Sequence, residues 1–236
     1  MSRVVGVIGG MGPAATLDFY AKLIAATPAT REQDHLRVLI DSNPGVPDRN
    51  LALAGGAPSP EAAPGPVLAD MARGLERAGA DLLVMACNTA HAFEADIRRA
   101  VAIPFVSIIT ETADAVRREH PTARRVGLLA AAGCLEAGLY QRALAERGAE
   151  PVVAEGALRE RFMTLLYRVK LGEVGQGARD EMRAIAEALI DQGAEVMVAA
   201  CTEVPLVIGQ EDLPVPLIDS SAVLARRAVA LALAAD

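Results

Sequence analysis

The sequence predicts an α/β fold of two similar lobes, each a parallel sheet flanked by helices. Three observations predict it. Short apolar runs of strand length alternate with stretches that carry apolar residues at helical spacing, the pattern of parallel strands joined by crossover helices. One segment occurs twice: residues 79–91 read GADLLVMACNTAH and residues 193–205 read GAEVMVAACTEVP, which aligns Gly79 with Gly193, Ala80 with Ala194 and Cys87 with Cys201. Two further blocks repeat in the same order, VGVIGGMG (5–12) with VGLLAAAG (126–133) and IPFVSI (103–108) with VPLIDS (215–220).

The strands follow in order. Val4–Ile8, Val38–Ile40, Leu82–Ala86 and Phe105–Ile108 fill the first half, and Val126–Leu129, Val152–Val153, Val196–Ala200 and Leu217–Ile218 the second. Runs that are apolar without alternation read as parallel strands covered on both faces. Helical spacing marks Thr16–Ala26, Val67–Ala78, Glu94–Val101, Glu136–Arg147 and Arg179–Gln192, the last with Met182, Ile185, Leu189 and Ile190 as its apolar face. Asn43 to Pro66 holds six prolines and four glycines and reads as one long irregular connection, a kind that often carries function. The last segment, Ala222–Ala235, is expected to return over the first lobe. The lobes are therefore expected at residues 1–104 plus 217–236 and at 105–216.

Composition narrows the function. The 236 residues are 52% hydrophobic and 22% charged with only 3% aromatics, a globular composition whose core must be mostly aliphatic. A net charge of −7 with no basic cluster argues against nucleic acid as partner. The three cysteines show no C-x-x-C pair and no Cys/His spacing suited to zinc, so no metal is expected. The apolar stretch after Arg3 is interrupted by Gly6, Gly9, Gly10 and Gly12 and is not expected to be a signal segment, and no window approaches a membrane span. The expectation is a soluble cytoplasmic protein with reduced thiols.

The chemistry concentrates on Cys87 and Cys201. Each ends a buried strand and is followed by a small polar residue, in the runs Asn88-Thr89 and Thr202-Glu203. A thiol near unpaired backbone N–H groups at a helix start can serve as a base. A single cysteine is more often a small hydrophobe, but the repeated placement favours function: two such thiols can serve the two faces of one substrate carbon. Cys134 has no counterpart and reads as packing. His91 reads as a histidine satisfied by a backbone group. The turn Gly9-Gly10-Met11-Gly12 can hold an anion on its amides, yet its G-x-x-G-x-x-G spacing fails as a dinucleotide fingerprint, leaving a nucleotide-binding protein a distant alternative. By themselves Arg49 and Lys170 read as solvated surface charges.

Four motifs in order, GGMGP-x-A-T, N-P-x-x-P-D-R, M-x-C-N-T-A-H-A-F and A-x-C-T-E-V, resemble those of the pyridoxal-phosphate-independent aspartate/glutamate racemase superfamily, most of all the aspartate racemases. The resemblance runs from Val5 to about Ile218. It implies two lobes related by a pseudo-two-fold axis, an active site in the cleft between them, no cofactor and a homodimer. It implies catalytic roles for Cys87 and Cys201. Asn88, Thr89, Thr202 and the backbone around Met11 would hold the α-carboxylate and amine of an amino-acid substrate, and Arg49 and Lys170 its distal carboxylate. One departure stands out: the turn 130–134 reads AAAGC where aspartate racemases carry hydroxyls, which loosens the expectation of aspartate itself. The alternatives are a one-thiol isomerase or decarboxylase of small dicarboxylates, and a non-catalytic amino-acid-binding protein.

Overall fold

The computed structural model describes residues 2–56 and 63–234. Among the described residues, eight parallel strands form two four-stranded sheets of identical order. In the first, β2 (Val38–Ser42), β1 (Val5–Gly9), β3 (Leu82–Met85) and β4 (Phe105–Val106) lie side by side; in the second, β6 (Glu150–Val153), β5 (Arg125–Leu128), β7 (Val196–Ala199) and β8 (Leu217–Asp219) do so. All eight expected strands are present. Ten α-helices among the described residues cover them: α1 (Pro13–Ala26), α2 (Arg49–Leu53), α3 (Pro64–Arg77), α4 (Glu94–Ala100), α5 (Ile108–Glu119), α6 (Ala132–Glu136), α7 (Leu139–Ala145), α8 (Gly156–Lys170), α9 (Gln176–Asp191) and α10 (Ser220–Leu233). Among the described residues no helix is long and apolar enough to cross a membrane.

Strand pairing moves the lobe boundary. Phe105–Val106, expected to open the second lobe, pairs with β3 and completes the first sheet, while Leu217–Asp219, expected in the first lobe, pairs with β7 and completes the second. Each closing strand hands the chain to a helix between the sheets, α5 and α10, which pack on each other, and α10 also packs on α1. Lys22 of α1 pairs with Asp219 at 2.7 Å, and Asp219 caps α10 by accepting from the Ser221 and Ala222 amides. The chain thus crosses between lobes twice.

Side chains of the central strands alternate between two cores. On β3, Leu82, Val84 and Ala86 face the inner core shared by both lobes, and Leu83, Met85 and Cys87 face the outer core of the first lobe. On β7, Val196, Val198 and Ala200 face inward, and Met197, Ala199 and Cys201 face the outer core of the second. The period of two along each strand therefore sends both cysteines to equivalent sides. Gly6 and Gly127 also match: a Cβ on Gly6 would come within 2.9 Å of Leu83 and Ala80 side-chain atoms, and one on Gly127 within 2.9 Å of Met197 and Ala194.

Several helices depart from the sequence reading. The long connection holds α2, because Asp48 accepts from the Asn50 and Leu51 amides and starts a helix inside a Pro/Gly-rich stretch; part of that connection, 57–62, lies outside the described residues. The helix expected at Glu136–Arg147 is two helices, broken at Gly138 with φ 62°. Helix α5 was not foreseen, although its buried Ile108, Ile109, Thr112, Ala113, Ala115 and Val116 fall on one helical face; the expected strand runs on to Ile108, where the helix begins.

The turn after β1 is held by Gly10, whose φ is 87° and whose missing Cβ would meet the Asn43 backbone nitrogen at 2.3 Å. Its amide donates to Thr16 Oγ1 at 2.8 Å. Gly10→Ala should cost about 2 kcal/mol or more, from the left-handed backbone and the clash together. Thermal unfolding should shift down by roughly 4–8 °C for a chain of this size; an unchanged midpoint would contradict the close approach.

Candidate active site

The loops after β1, β3 and β7 and the connection after β2 meet at the carboxyl ends of the central strands, where ligands bind in open α/β sheets. Between the lobes they enclose a cavity of about 40 Å³, lined from the first lobe by Met11, Asp48, Arg49, Asn50, Cys87 and Thr89. The second lobe contributes Ala131, Leu166, Lys170, Cys201 and Glu203. Six of the eight residues singled out from the sequence share this wall: Met11, Arg49, Cys87, Thr89, Lys170 and Cys201. Asn88 and Thr202 are buried beside it, each 1% exposed.

The Asn88 side chain does not cap the turn that follows it. Its Oδ1 accepts from Tyr140 Oη at 2.6 Å, its Nδ2 donates to Ser220 Oγ at 3.2 Å, and Ser220 Oγ donates to the Ala199 carbonyl at 2.6 Å. This chain of bonds ties α7, the Cys87 turn, α10 and β7 together beneath the cavity. No α-helix starts directly at either cysteine: a 3₁₀ turn follows each, Thr89–Phe93 after Cys87 and Val204–Leu206 after Cys201.

The backbone of Cys87 is pinned by His91. The His91 ring donates from Nδ1 to the Cys87 carbonyl at 2.8 Å, and Nε2 accepts from the Ile108 amide at 3.1 Å. One donating and one accepting nitrogen define the neutral ring. Burial pulls the His91 pKa down to about 4, so the ring stays neutral at physiological pH and is satisfied, as expected, by backbone groups.

Around Cys201 the decisive residue is Glu203, which the sequence reading passed over. Only 2% exposed, its carboxylate accepts from Cys201 Sγ at 3.0 Å, pairs with Lys170, and accepts from the Gly12 amide at 3.2 Å. The anion held by the glycine turn is thus Glu203 from the opposite lobe. The available signal was an acidic residue two places after the second repeat cysteine, where Thr89 stands after Cys87. Burial pushes the Cys201 thiol well above its ordinary value; the Glu203 charge adds to this and Lys170 offsets part of it. Burial alone would pull Lys170 down, but Cys201, Glu203 and Cys87 outweigh it and its pKa stands above the usual lysine value.

Arg49 Nη1 donates to the Val46 and Pro47 carbonyls, both at 3.0 Å, while its buried Nε has no partner. The guanidinium is therefore oriented through Nη1, and its buried Nε–H is left without a partner. Across the cavity mouth α2 reaches the second lobe: the Gly133 amide donates to Asn50 Oδ1 at 3.0 Å, and Tyr167 Oη lies 3.4 Å from both Asn50 and Asp48 side chains. Cys134 is fully buried, and burial drives its pKa up, which fits a packing residue. None of the three cysteines is in a disulfide, and no group of three or more His, Cys, Asp or Glu among the described residues could hold a metal.

Comparison with known proteins agrees on one kind of enzyme. The sequence model of Asp/Glu/hydantoin racemases matches residues 8–228. The broad specificity amino-acid racemase RacX of Bacillus subtilis is 27% identical over 98% of this chain and 99% of its own. Among solved structures, the aspartate racemase of Picrophilus torridus superposes with a TM-score of 0.84 at 28% identity, covering 97% of this chain and 94% of that one. An aspartate racemase homologue from Pyrococcus horikoshii gives 0.76 at 30% identity, covering 98% and 99%.

Proposed function

Since the chain belongs to the Asp/Glu/hydantoin racemase family, and is an isomerase of the amino-acid racemase kind, we propose that it inverts the α-carbon of aspartate or glutamate with two cysteines and no cofactor. One observation carries this reading: Cys87 and Cys201, at equivalent positions of the two repeats, line the same cavity. Racemisation removes the α-hydrogen as a proton from one face and returns a proton to the other. One cysteine acts as thiolate base and the other as thiol acid, with roles exchanged for the opposite enantiomer.

A general acid or base supplies about 10²–10⁴-fold, so the carbanionic intermediate needs stabilisation from the walls. Thr89, Asn88, Thr202 and the Met11 backbone are proposed to hold the α-carboxylate and amine, and the Arg49 and Lys170 cations the distal carboxylate. A cavity of about 40 Å³ has room for a few waters, so substrate binding has to widen it.

A broader substrate range is the second reading. It is favoured by the pairing of Lys170 with Glu203, which occupies the cation a dicarboxylate needs, and by Ala131 in the wall, which offers no hydroxyl. As proposals of the same standing, the enzyme works in the cytoplasm and as a homodimer. The deciding experiment is proton NMR of the purified, reduced protein in D₂O without pyridoxal phosphate, given both enantiomers of aspartate, glutamate and several neutral amino acids. Loss of the α-proton signal together with appearance of the opposite enantiomer is the expected result, and the substrate that exchanges fastest names the specificity. Binding with no exchange from any of them would overturn the racemase reading in favour of a binding protein.

A further inference from the structure

The two thiols are equivalent by repeat and by exposure, each 6%, but not by surroundings. Cys201 donates to Glu203 Oε2 at 3.0 Å. That carboxylate is buried, held by Lys170 of α8 and by the Gly12 amide of the opposite lobe, so it cannot turn away without leaving the Lys170 ammonium and a backbone donor unpaired. The repeat offers Cys87 no counterpart: two places after it stands Thr89. We propose that Glu203 is a positioning residue that makes the thiols unequal, keeping Cys201 protonated so that the resting enzyme carries its base at Cys87 and its acid at Cys201. The proposal rests on the two-thiol reading and adds a direction to it.

The charged and titratable groups facing Cys201 are Glu203 on its own turn, Lys170 from α8, Cys87 at the end of β3 and Tyr140 from α7. Asp48 and Arg49 line the same cavity. Of these, Glu203 alone accepts a hydrogen bond from the thiol. Its charge opposes a thiolate at Cys201, in line with the raised thiol described above. In turnover from the resting state, the Cys87 thiolate takes the α-proton and the Cys201 S–H bond breaks to protonate the other face. The products of that step are a Cys87 thiol and a Cys201 thiolate. Repulsion from Glu203 then favours the Cys201 thiol, which takes up a proton from water while Cys87 gives its proton up to water, resetting the enzyme.

The test is the pH dependence of alkylation by iodoacetamide, resolved for each cysteine by peptide mass spectrometry, on the wild type, Glu203→Gln and Glu203→Asp. In the wild type, Cys87 should be labelled at lower pH than Cys201. Glu203→Gln removes the repulsion and leaves Lys170 free to stabilise the thiolate, so the Cys201 profile should move down by about one pH unit or more while that of Cys87 moves less. Glu203→Asp keeps the charge on a shorter arm and should fall between. In the activity readout, kcat/KM must drop by one common factor in both directions, because the enantiomers have equal free energy, and its pH profile should shift to lower pH. A Cys201 profile unmoved by Glu203→Gln overturns the proposal. So does a wild type in which Cys201 is labelled at the lower pH, a comparison that stands even if Glu203→Gln does not fold. Labelling needs no substrate, so its outcome is separate from that of the exchange experiment.

Discussion

Serine at Cys87 or at Cys201 should lower racemisation by about 10³-fold or more, because a hydroxyl is a far weaker acid than a thiol and cannot supply the proton-transfer term. Each variant should keep the fold, since serine is smaller than cysteine and the rest of the central strand is unchanged. The two losses should not multiply in the double variant, as the thiols act on one reaction as a unit. With one thiol left, the enzyme should still exchange the α-hydrogen of one enantiomer with solvent while failing to invert it. Full inversion by either variant would sink the two-thiol mechanism and favour a one-thiol isomerase. Cys134→Ala is the control: this thiol lies outside the cavity wall, and activity should persist.

Lys170→Met should damage stability and acidic substrates together. It leaves Glu203, with 3% of its side chain exposed, as an uncompensated buried charge, which costs about 3 kcal/mol or more. The unfolding midpoint should fall by roughly 6–12 °C. Adding Glu203→Gln to Lys170→Met removes the stranded charge and should recover most of that stability, so the two effects should be far from additive. Activity should not recover with it. Toward aspartate or glutamate, Lys170→Met and Arg49→Ala should each raise KM much more than toward neutral amino acids. Equal losses for acidic and neutral substrates would refute a carboxylate-holding role for both cations.

The glutamate explains why the site was only partly legible beforehand. Cys87 and Cys201 could be found because a strand-end residue in a repeated segment leaves a mark in the chain itself. Met11, Arg49 and Thr89 lie in the motifs and Lys170 came from the family resemblance, and the structure gathers all four around the thiols. Arg49 and Lys170 showed nothing by themselves: a charge in a loop or at a helix end looks the same whether it faces water or a cleft. Asp48 could have been read from its place before Arg49 and Asn50, where it caps α2, but caps are common and a cap inside a Pro/Gly-rich stretch is easily taken for a turn.

By itself the sequence determined the eight strands, their parallel arrangement, the duplication and the two cysteines at matching strand ends, because burial on both faces and a period of two are local properties. Only the tertiary structure decided which sheet each closing strand joins, since β4 and β8 are two and three residues long and their partners lie elsewhere in the chain. Only it decided that Tyr140 orients Asn88, 52 positions away. And only it brought Glu203 to Lys170 and to the Gly12 amide, which is 191 positions distant. A buried charge chooses its partners by what the fold places within reach, and no spacing along the chain records that choice.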